Sequence, residues 1–349
     1  MAVLDAIILP AIAPLEAAGL ELHLLEAVAA HLIAPTLLVY ASPGRIVSLG
    51  RYHLYAGEPA RGGIGAARRL TGGRAIGAGE GWLQVALIAP RVGALLPDRD
   101  TALKPDQVMN RYVRGLLAAL RALGVDCFYP GRDAVTLEHR ELAACSFEVA
   151  ANGAMLFEAA LAVNRGMEEL VHDLEQLDPE GGVSCPMYTP GNATRLVRAL
   201  GRDIGFAEIA RAIVGGYGEI TGSVRERQLE PGERAHATRR AEALAASRWL
   251  RLVADPESFN RGNRIAAQLG AVEARLDVAD NFTIERLVLC GDFIANSAGV
   301  AELEHELAGA TLDLPSVTRA VIDTYGDGRN FILGLGDLNN LIRLIAEAA

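Results

Sequence analysis

The sequence predicts an α+β fold. Segments with helical periodicity and segments with strand character both run through the chain, and they mix without the strict alternation of a doubly wound α/β protein. Half of the 349 residues are hydrophobic and 22% are charged, so a substantial core can be buried. At this length two domains are expected.

Each element follows from local pattern. Residues 15–32 are rich in Ala, Leu and Glu without Pro and predict a helix. Residues 36–40 predict a strand stopped by Ser42-Pro43-Gly44, and 45–50 a second one. Residues 56–67, rich in Gly and Ala, read as a loop with a short helix, and 82–88 as a buried strand. Val108, Tyr112, Val113, Leu116, Leu117 and Leu120 give 106–123 a helical spacing, with Gly124 placed to stop it. Short strands are expected at 134–137, 142–147 and 154–157, helices at 164–174 and 206–217, and a loop at 181–192. Around Pro231-Gly232 the chain turns polar and charged, which divides it into domains 1–230 and 231–349. Beyond that point 271–278 alternates as a half-exposed strand, 284–289 is its neighbour, and 300–307, 314–325 and 335–345 read as helices.

Composition narrows the function. The formal net charge of −10 argues against a nucleic-acid partner, while leaving room for a local basic pocket. Lys104 is the single lysine among 33 basic residues, a skew that an arginine- and alanine-favouring genome explains. Chemistry that needs an ammonium group therefore has one candidate. Cys127, Cys145, Cys185 and Cys290 form no C-x-x-C pair and no metal-ligand spacing with His, so no metal centre is expected and a reduced, cytoplasmic setting fits. The N-terminus lacks the basic start of a secretory signal, and no apolar run reaches the roughly 18 residues of a membrane span, so no membrane partner is expected.

The densest chemical signal is Arg68-Arg69-Leu70-Thr71-Gly72-Gly73-Arg74, followed by the apolar run 82–88. Arginines supply fixed charge and forked donors, and glycines allow close backbone approach. Such a turn beside an apolar wall suits an elongated ligand with an anionic head.

The order of these pieces resembles the lipoate–protein ligase A family, within the wider biotin/lipoate ligase superfamily. Its Arg-Arg-x-Ser/Thr-Gly-Gly-Gly turn is matched by Arg68 to Arg74, and its Gly-Arg-Asn/Asp turn by Gly131-Arg132-Asp133. Its Lys-aliphatic-Ser/Ala-Gly-Ser/Cys-Ala motif falls on Glu141-Leu142-Ala143-Ala144-Cys145-Ser146. Asn152 to Leu156 stands where the family has a His-Gly-Thr-Leu-Leu-like segment, and Ile46 to Arg51 resembles the strand beneath the acyl chain. Residues 285–304, with Gly291-Asp292-Phe293, are similar to the family's accessory domain.

The resemblance implies a ligase-like catalytic domain of mixed sheet and flanking helices, plus a small α+β accessory domain. It implies that ATP with Mg activates lipoate or octanoate to an acyl-adenylate, delivered to a lysine of a lipoyl carrier domain. It gives ligand-binding roles to Arg68, Arg69, Thr71, Gly72, Gly73, Arg132, Asp133 and Ala144.

Three departures bear on catalysis. Glu141 stands at the position of the catalytic lysine and reverses the charge that would stabilise the reacting phosphate and carboxylate. Arg74 replaces the third glycine, where it either intrudes on the acyl site or restores the lost cation. Ala144 replaces a glycine.

Each candidate also has a plainer reading: Arg68 and Arg69 as solvated arginines, Glu141 as an exposed strand-edge carboxylate, Arg132 and Asp133 as a turn-stabilising pair, and the cysteines as small apolar core residues. Related octanoyl- and lipoyl-transferases use a cysteine thioester without ATP, and Cys127 lies near where one branch carries it; His139 is a distant candidate base. Three functions compete: an adenylating ligase resting on Arg74 and the arginine–glycine turn, a Cys127 transferase, and a non-catalytic ligand-binding or regulatory homologue.

Overall fold

A computed structural model describes residues 3–96, 103–178, 191–251, 258–326 and 328–348. The chain opens with β1 (Leu4–Leu9), α1 (Pro14–Ala29), β2 (Thr36–Tyr40), β3 (Arg45–Leu49), β4 (Ala60–Arg61), β5 (Ile64–Arg68), β6 (Ile76–Gly77) and β7 (Trp82–Ala89). Next come α2 (Pro105–Ala122), β8 (Ala134–Leu137), β9 (Arg140–Val149), β10 (Met155–Ala162), α3 (Glu168–Leu177), α4 (Leu196–Leu200), α5 (Phe206–Thr221), β11 (Val224–Glu226) and α6 (Pro231–Ala246). The C-terminal part holds β12 (Arg261–Ala266), β13 (Ala271–Val278), β14 (Ile284–Gly291), β15 (Ile294–Ala295), α7 (Ser297–Leu307), α8 (Leu314–Tyr325), β16 (Ile332–Leu333) and α9 (Leu338–Ala346).

A seven-stranded mixed sheet in the order β11-β1-β2-β7-β10-β9-β8 forms the centre. On one face Tyr112 and Leu116 of α2 and Ile213 and Tyr217 of α5 pack against Leu37, Val85 and Phe157. On the other, Leu20 and Leu24 of α1 cover Leu38, Ala86, Ile88 and Leu156. A second sheet, β4-β5-β3-β6, closes over the ends of β7, β9 and β10, burying Val47, Leu49, Trp82, Ala144 and Ala160 with α3. The antiparallel sheet β12-β13-β14 and helices α7 to α9 make a separate core around Leu276, Leu287, Leu303 and Val321, which Tyr52 joins from the N-terminal part.

Three elements depart from expectation. β1 is a buried strand paired in parallel with β2 and β11; covered on both faces, it shows an apolar run in place of alternation. The expected loop and short helix at 56–67 are instead strands β4 and β5, held by parallel pairing of β5 to β3, where tertiary context overrides the weak strand propensity of Gly and Ala. The charged segment after 230 is a helix, α6, and it packs along α1 by a narrow stripe of Ala237, Ala241 and Leu244; so small an apolar stripe leaves the sequence reading as polar. Of the expected loop 181–192 only the last two residues, Gly191 and Asn192, are described, and Cys185 lies outside the described residues. Among those residues no helix is long and apolar enough to cross a membrane, and no cluster of three metal-ligating side chains occurs.

Candidate functional site at the arginine–glycine turn

β5 ends at Arg68, paired with Leu49 of β3, and delivers the turn 69–75 to the junction of the two sheets. Both arginines of the turn are buried. Arg68 donates through Nη1 to the carbonyls of Gly50 (2.9 Å) and Arg51 (2.8 Å), and through Nη2 to those of His53 and Leu250 (both 2.8 Å). Its Nε donates to Leu250 as well, at 3.2 Å. All five of its N–H groups thus face backbone carbonyls. Burial lowers its pKa to about 9, with Arg51 and Arg69 adding to the effect. Arg69 donates to the carbonyls of Ser48, Gly72 and Arg74 and to Thr71 Oγ1, tying the turn to itself.

The two glycines face the C-terminal part. Gly73, at φ +88°, donates its N–H to the Phe293 carbonyl at 2.6 Å. A Cβ on Gly72 would stand 2.3 Å from that same oxygen. Around this point Tyr52 stacks on Phe293 at 4.5 Å, Tyr52 Oη donates to the Ala295 carbonyl, and His53 Nε2 lies 2.8 Å from Asp292 Oδ1. Burial keeps the His53 pKa below its ordinary value. The Gly-Asp-Phe turn is the dock for the arginine–glycine turn.

Arg74, 1% exposed, points the other way. Its Nε donates to Asp133 Oδ2 at 2.6 Å, and its Nη1 and Nη2 form a fork on the Glu141 carboxylate at 3.1 and 3.0 Å. Asp133 is held beside β9 because its carbonyl accepts from the Cys145 N–H. Glu141 is therefore buried and paired, not an exposed strand-edge group, and Asp133 pairs with Arg74 instead of with Arg132. Burial pushes the Glu141 carboxyl up to about 7, while the Arg74 charge holds it down and Asp133 opposes that. The remaining space among Arg69, Arg74, Ala144, Cys145, Ser146 and Glu158 is about 10 Å³, room for roughly one water.

Behind the turn lies a second acidic group that sequence reasoning missed. Thr71 N–H donates to Glu158 Oε2 at 3.2 Å, and Tyr40 Oη donates to Glu21 Oε1 at 2.9 Å. Burial raises the pKa of both glutamates, and Glu158 raises Glu21 further. The signal available was Glu21 itself, an acid on the apolar face of a helix.

Of the remaining candidates, Cys145 lines the same small space, and the others lie apart from this network. Arg132 is exposed and donates to the Gln268 carbonyl at 2.5 Å. Cys127 is buried in the main core, and burial pushes its thiol up to about 12. Cys145 is buried and shifted the same way by burial, with Asp133 and Glu141 adding to it. His139 is exposed on the β8–β9 turn, and Lys104 is exposed at the N-cap of α2.

Comparison with known proteins agrees with this architecture. Residues 13–218 match the family model of the lipoyl protein ligase A/B catalytic domain. No curated protein matches the chain in sequence. Among solved structures, LipL1 of P. falciparum in complex with lipoate superposes with a TM-score of 0.71 at 12% identity, over 98% of this chain and 99% of that one. Lipoate-protein ligase A bound with ATP gives 0.57 at 15% identity over 72% and 100%. The bi-partite lipoate protein ligase of Thermoplasma acidophilum, studied with its E2 lipoyl domain, gives 0.54 at 18% over 72% and 98%. The family match spans more than half of the chain, and the mixed sheet and flanking helices agree with it: this chain belongs to the lipoyl protein ligase A/B family.

Proposed function

We propose that this chain is a non-adenylating member of its family, which binds a lipoyl carrier domain without modifying it. The observation that carries this reading is the fork of Arg74 on Glu141 and Asp133. The cation at the third-glycine position is consumed by the carboxylate at the lysine position. Arg74 is committed to Asp133 and Glu141, where a triphosphate would need its cation. A space of about 10 Å³ does not admit an acyl chain or a nucleotide, since small-molecule pockets run to about 300 Å³ and more. The residues present thus do not fit ATP with Mg, nor lipoate or octanoate, at this turn. Opening the turn would strand two buried carboxylates, a loss of about 3–5 kcal/mol.

The cysteine route has no better support. A thiol with a pKa of about 12 is almost wholly protonated near neutrality, and Cys127 has no hydrogen-bonded base among the described residues. What the chain keeps is the fold, and a relative of that fold, the bi-partite lipoate protein ligase of Thermoplasma acidophilum, was studied with its E2 lipoyl domain, which supports a lipoyl domain as the partner. The test is to mix the full-length protein with ATP, Mg, lipoate and an apo lipoyl domain, followed by mass spectrometry and calorimetry. The expected result is a complex with unmodified carrier and no lipoyl-AMP. Detection of lipoyl-AMP or a lipoylated carrier would overturn the reading, as would the lack of any complex.

A further inference from the structure

Glu21 lies on the buried face of α1 and Glu158 on β10, 1% and 8% exposed. Their carboxyl groups hydrogen-bond to one another behind the arginine–glycine turn. An ionised carboxylate only accepts hydrogen bonds, so two carboxylates cannot bond to each other. A bond between these two requires that one of them carries a proton. Electrostatics sets the same requirement, because like charges in contact inside a core oppose ionisation of both.

The surroundings decide which acid carries it. Glu158 accepts the Thr71 N–H at 3.2 Å, and the Arg69 guanidinium is the strongest charge acting on it. Glu21 receives the Tyr40 hydroxyl at 2.9 Å and feels Glu158 more strongly than Arg69. The negative charge is better held by Glu158, and the proton by Glu21. The groups facing the pair are thus Tyr40 from β2, Arg69 and Thr71 from the turn, and Glu148 from β9, which feels the charge of Glu158.

These bonds form a directional relay. Tyr40 donates to Glu21, Glu21 donates to Glu158, and Thr71 donates to Glu158 from the turn. On its other side the Thr71 carbonyl accepts from the Arg51 N–H at 2.8 Å, and Thr71 Oγ1 accepts from Arg69. The carboxylate of Glu158 is therefore the anchor of Thr71 on the central sheet, and Glu21 holds that carboxylate in place.

We infer that Glu21 is a neutral acid whose proton, shared with the Glu158 carboxylate, seats Thr71 and with it the arginine–glycine turn. With the proton present, a single negative charge faces Arg69 and the turn is held. When the proton leaves to solvent, two carboxylates face each other between α1 and β10, the pair separates, and the acceptor of Thr71 moves with it. Burial, with Glu158 adding to it, raises the pKa of Glu21 well above its ordinary value. The held state therefore extends above the ordinary glutamate range, and the turn loosens on the alkaline side. The inference concerns what fixes the turn and is independent of what the turn binds.

The test combines infrared difference spectroscopy of the full-length protein near pH 6, reading the C=O stretch of protonated carboxyl groups, with hydrogen exchange at the Thr71 amide. Glu21→Gln keeps a donor to Glu158 and removes the proton. Glu158→Gln keeps an acceptor for Thr71 and removes the ionised partner. Glu21→Gln should remove one protonated-carboxyl band, and Glu158→Gln should shift that band without removing it. No band lost in Glu21→Gln would show an ionised Glu21 and overturn the inference. A band lost only in Glu158→Gln would place the proton on the other acid and overturn it as well. Between about pH 6 and about pH 9 the Thr71 amide of the unaltered protein should lose roughly tenfold in protection beyond the intrinsic rise in exchange. Glu21→Gln, which has no proton to lose there, should keep its protection. Equal loss in both proteins would show that the proton does not seat the turn and would overturn the inference.

Discussion

A buried charge needs a partner wherever it sits, and Arg74 and Glu141 supply one another's across 67 residues of sequence. Each is recognisable alone as a departure from the family pattern. Their pairing is not, because no local spacing connects a turn after β5 to the start of β9. Arg74→Ala leaves Asp133 and Glu141 facing each other in the core and should lower stability by about 3–5 kcal/mol in chemical denaturation. Adding Glu141→Gln removes one stranded charge and should recover part of that loss. A double-mutant cycle with no coupling between the two positions would show that the fork contributes nothing. Arg68 gives the same lesson in reverse. Two arginines before glycines suggest ligand contact, yet every donor of Arg68 is spent on the chain's own carbonyls, which the fold brings within reach from the loop 50–53 and from Leu250.

At the level of elements, the long periodic helices and the central strands could be read from sequence, because their apolar faces repeat at the period of their own backbone. β1, β5 and α6 could not. The first is buried on both faces, the second is built of Gly and Ala, and the third touches its neighbour through a stripe of alanines. The role of the glycine pair was legible only in part. Its close backbone approach was expected, but the surface approached is Phe293 and not a ligand. Gly72→Ala should therefore act on the contact between the N- and C-terminal parts. A Cβ 2.3 Å from a backbone oxygen cannot be relieved by rotating a side chain, and overpacking of this kind costs about 1–3 kcal/mol. A lower Tm in a thermal scan is the expected result; an unchanged Tm would place the strain elsewhere.

Across the whole molecule, the buried acids set the pH response. Glu141, Glu148 and Glu304 each have pKa values pushed up to about 7 by burial, and Glu21 and Glu158 are raised as well. The folded state holds these protons more tightly than the unfolded chain does. Their stabilising contribution is present below the ordinary glutamate range and is lost as pH rises toward about 7. His53, buried and shifted down, opposes this on the acid side, since it must stay neutral to remain in place. With five raised acids against two depressed histidines, His53 and the half-buried His23, Tm should fall by about 5 °C between roughly pH 5 and pH 8. A Tm that rises over this interval in a thermal scan would contradict the balance. The docking of the Gly-Asp-Phe turn has a further consequence, for chain connectivity. Tyr52 and Ala295, and His53 and Asp292, meet from positions about 240 residues apart, and Ser297 reaches back to Glu148 at 2.8 Å. These contacts do not pass through the connecting segment, so the covalent link serves chiefly to keep the two parts at high effective concentration. Two polypeptides produced separately, one ending after residue 251 and one beginning at 258, should associate in a one-to-one complex through the same seam.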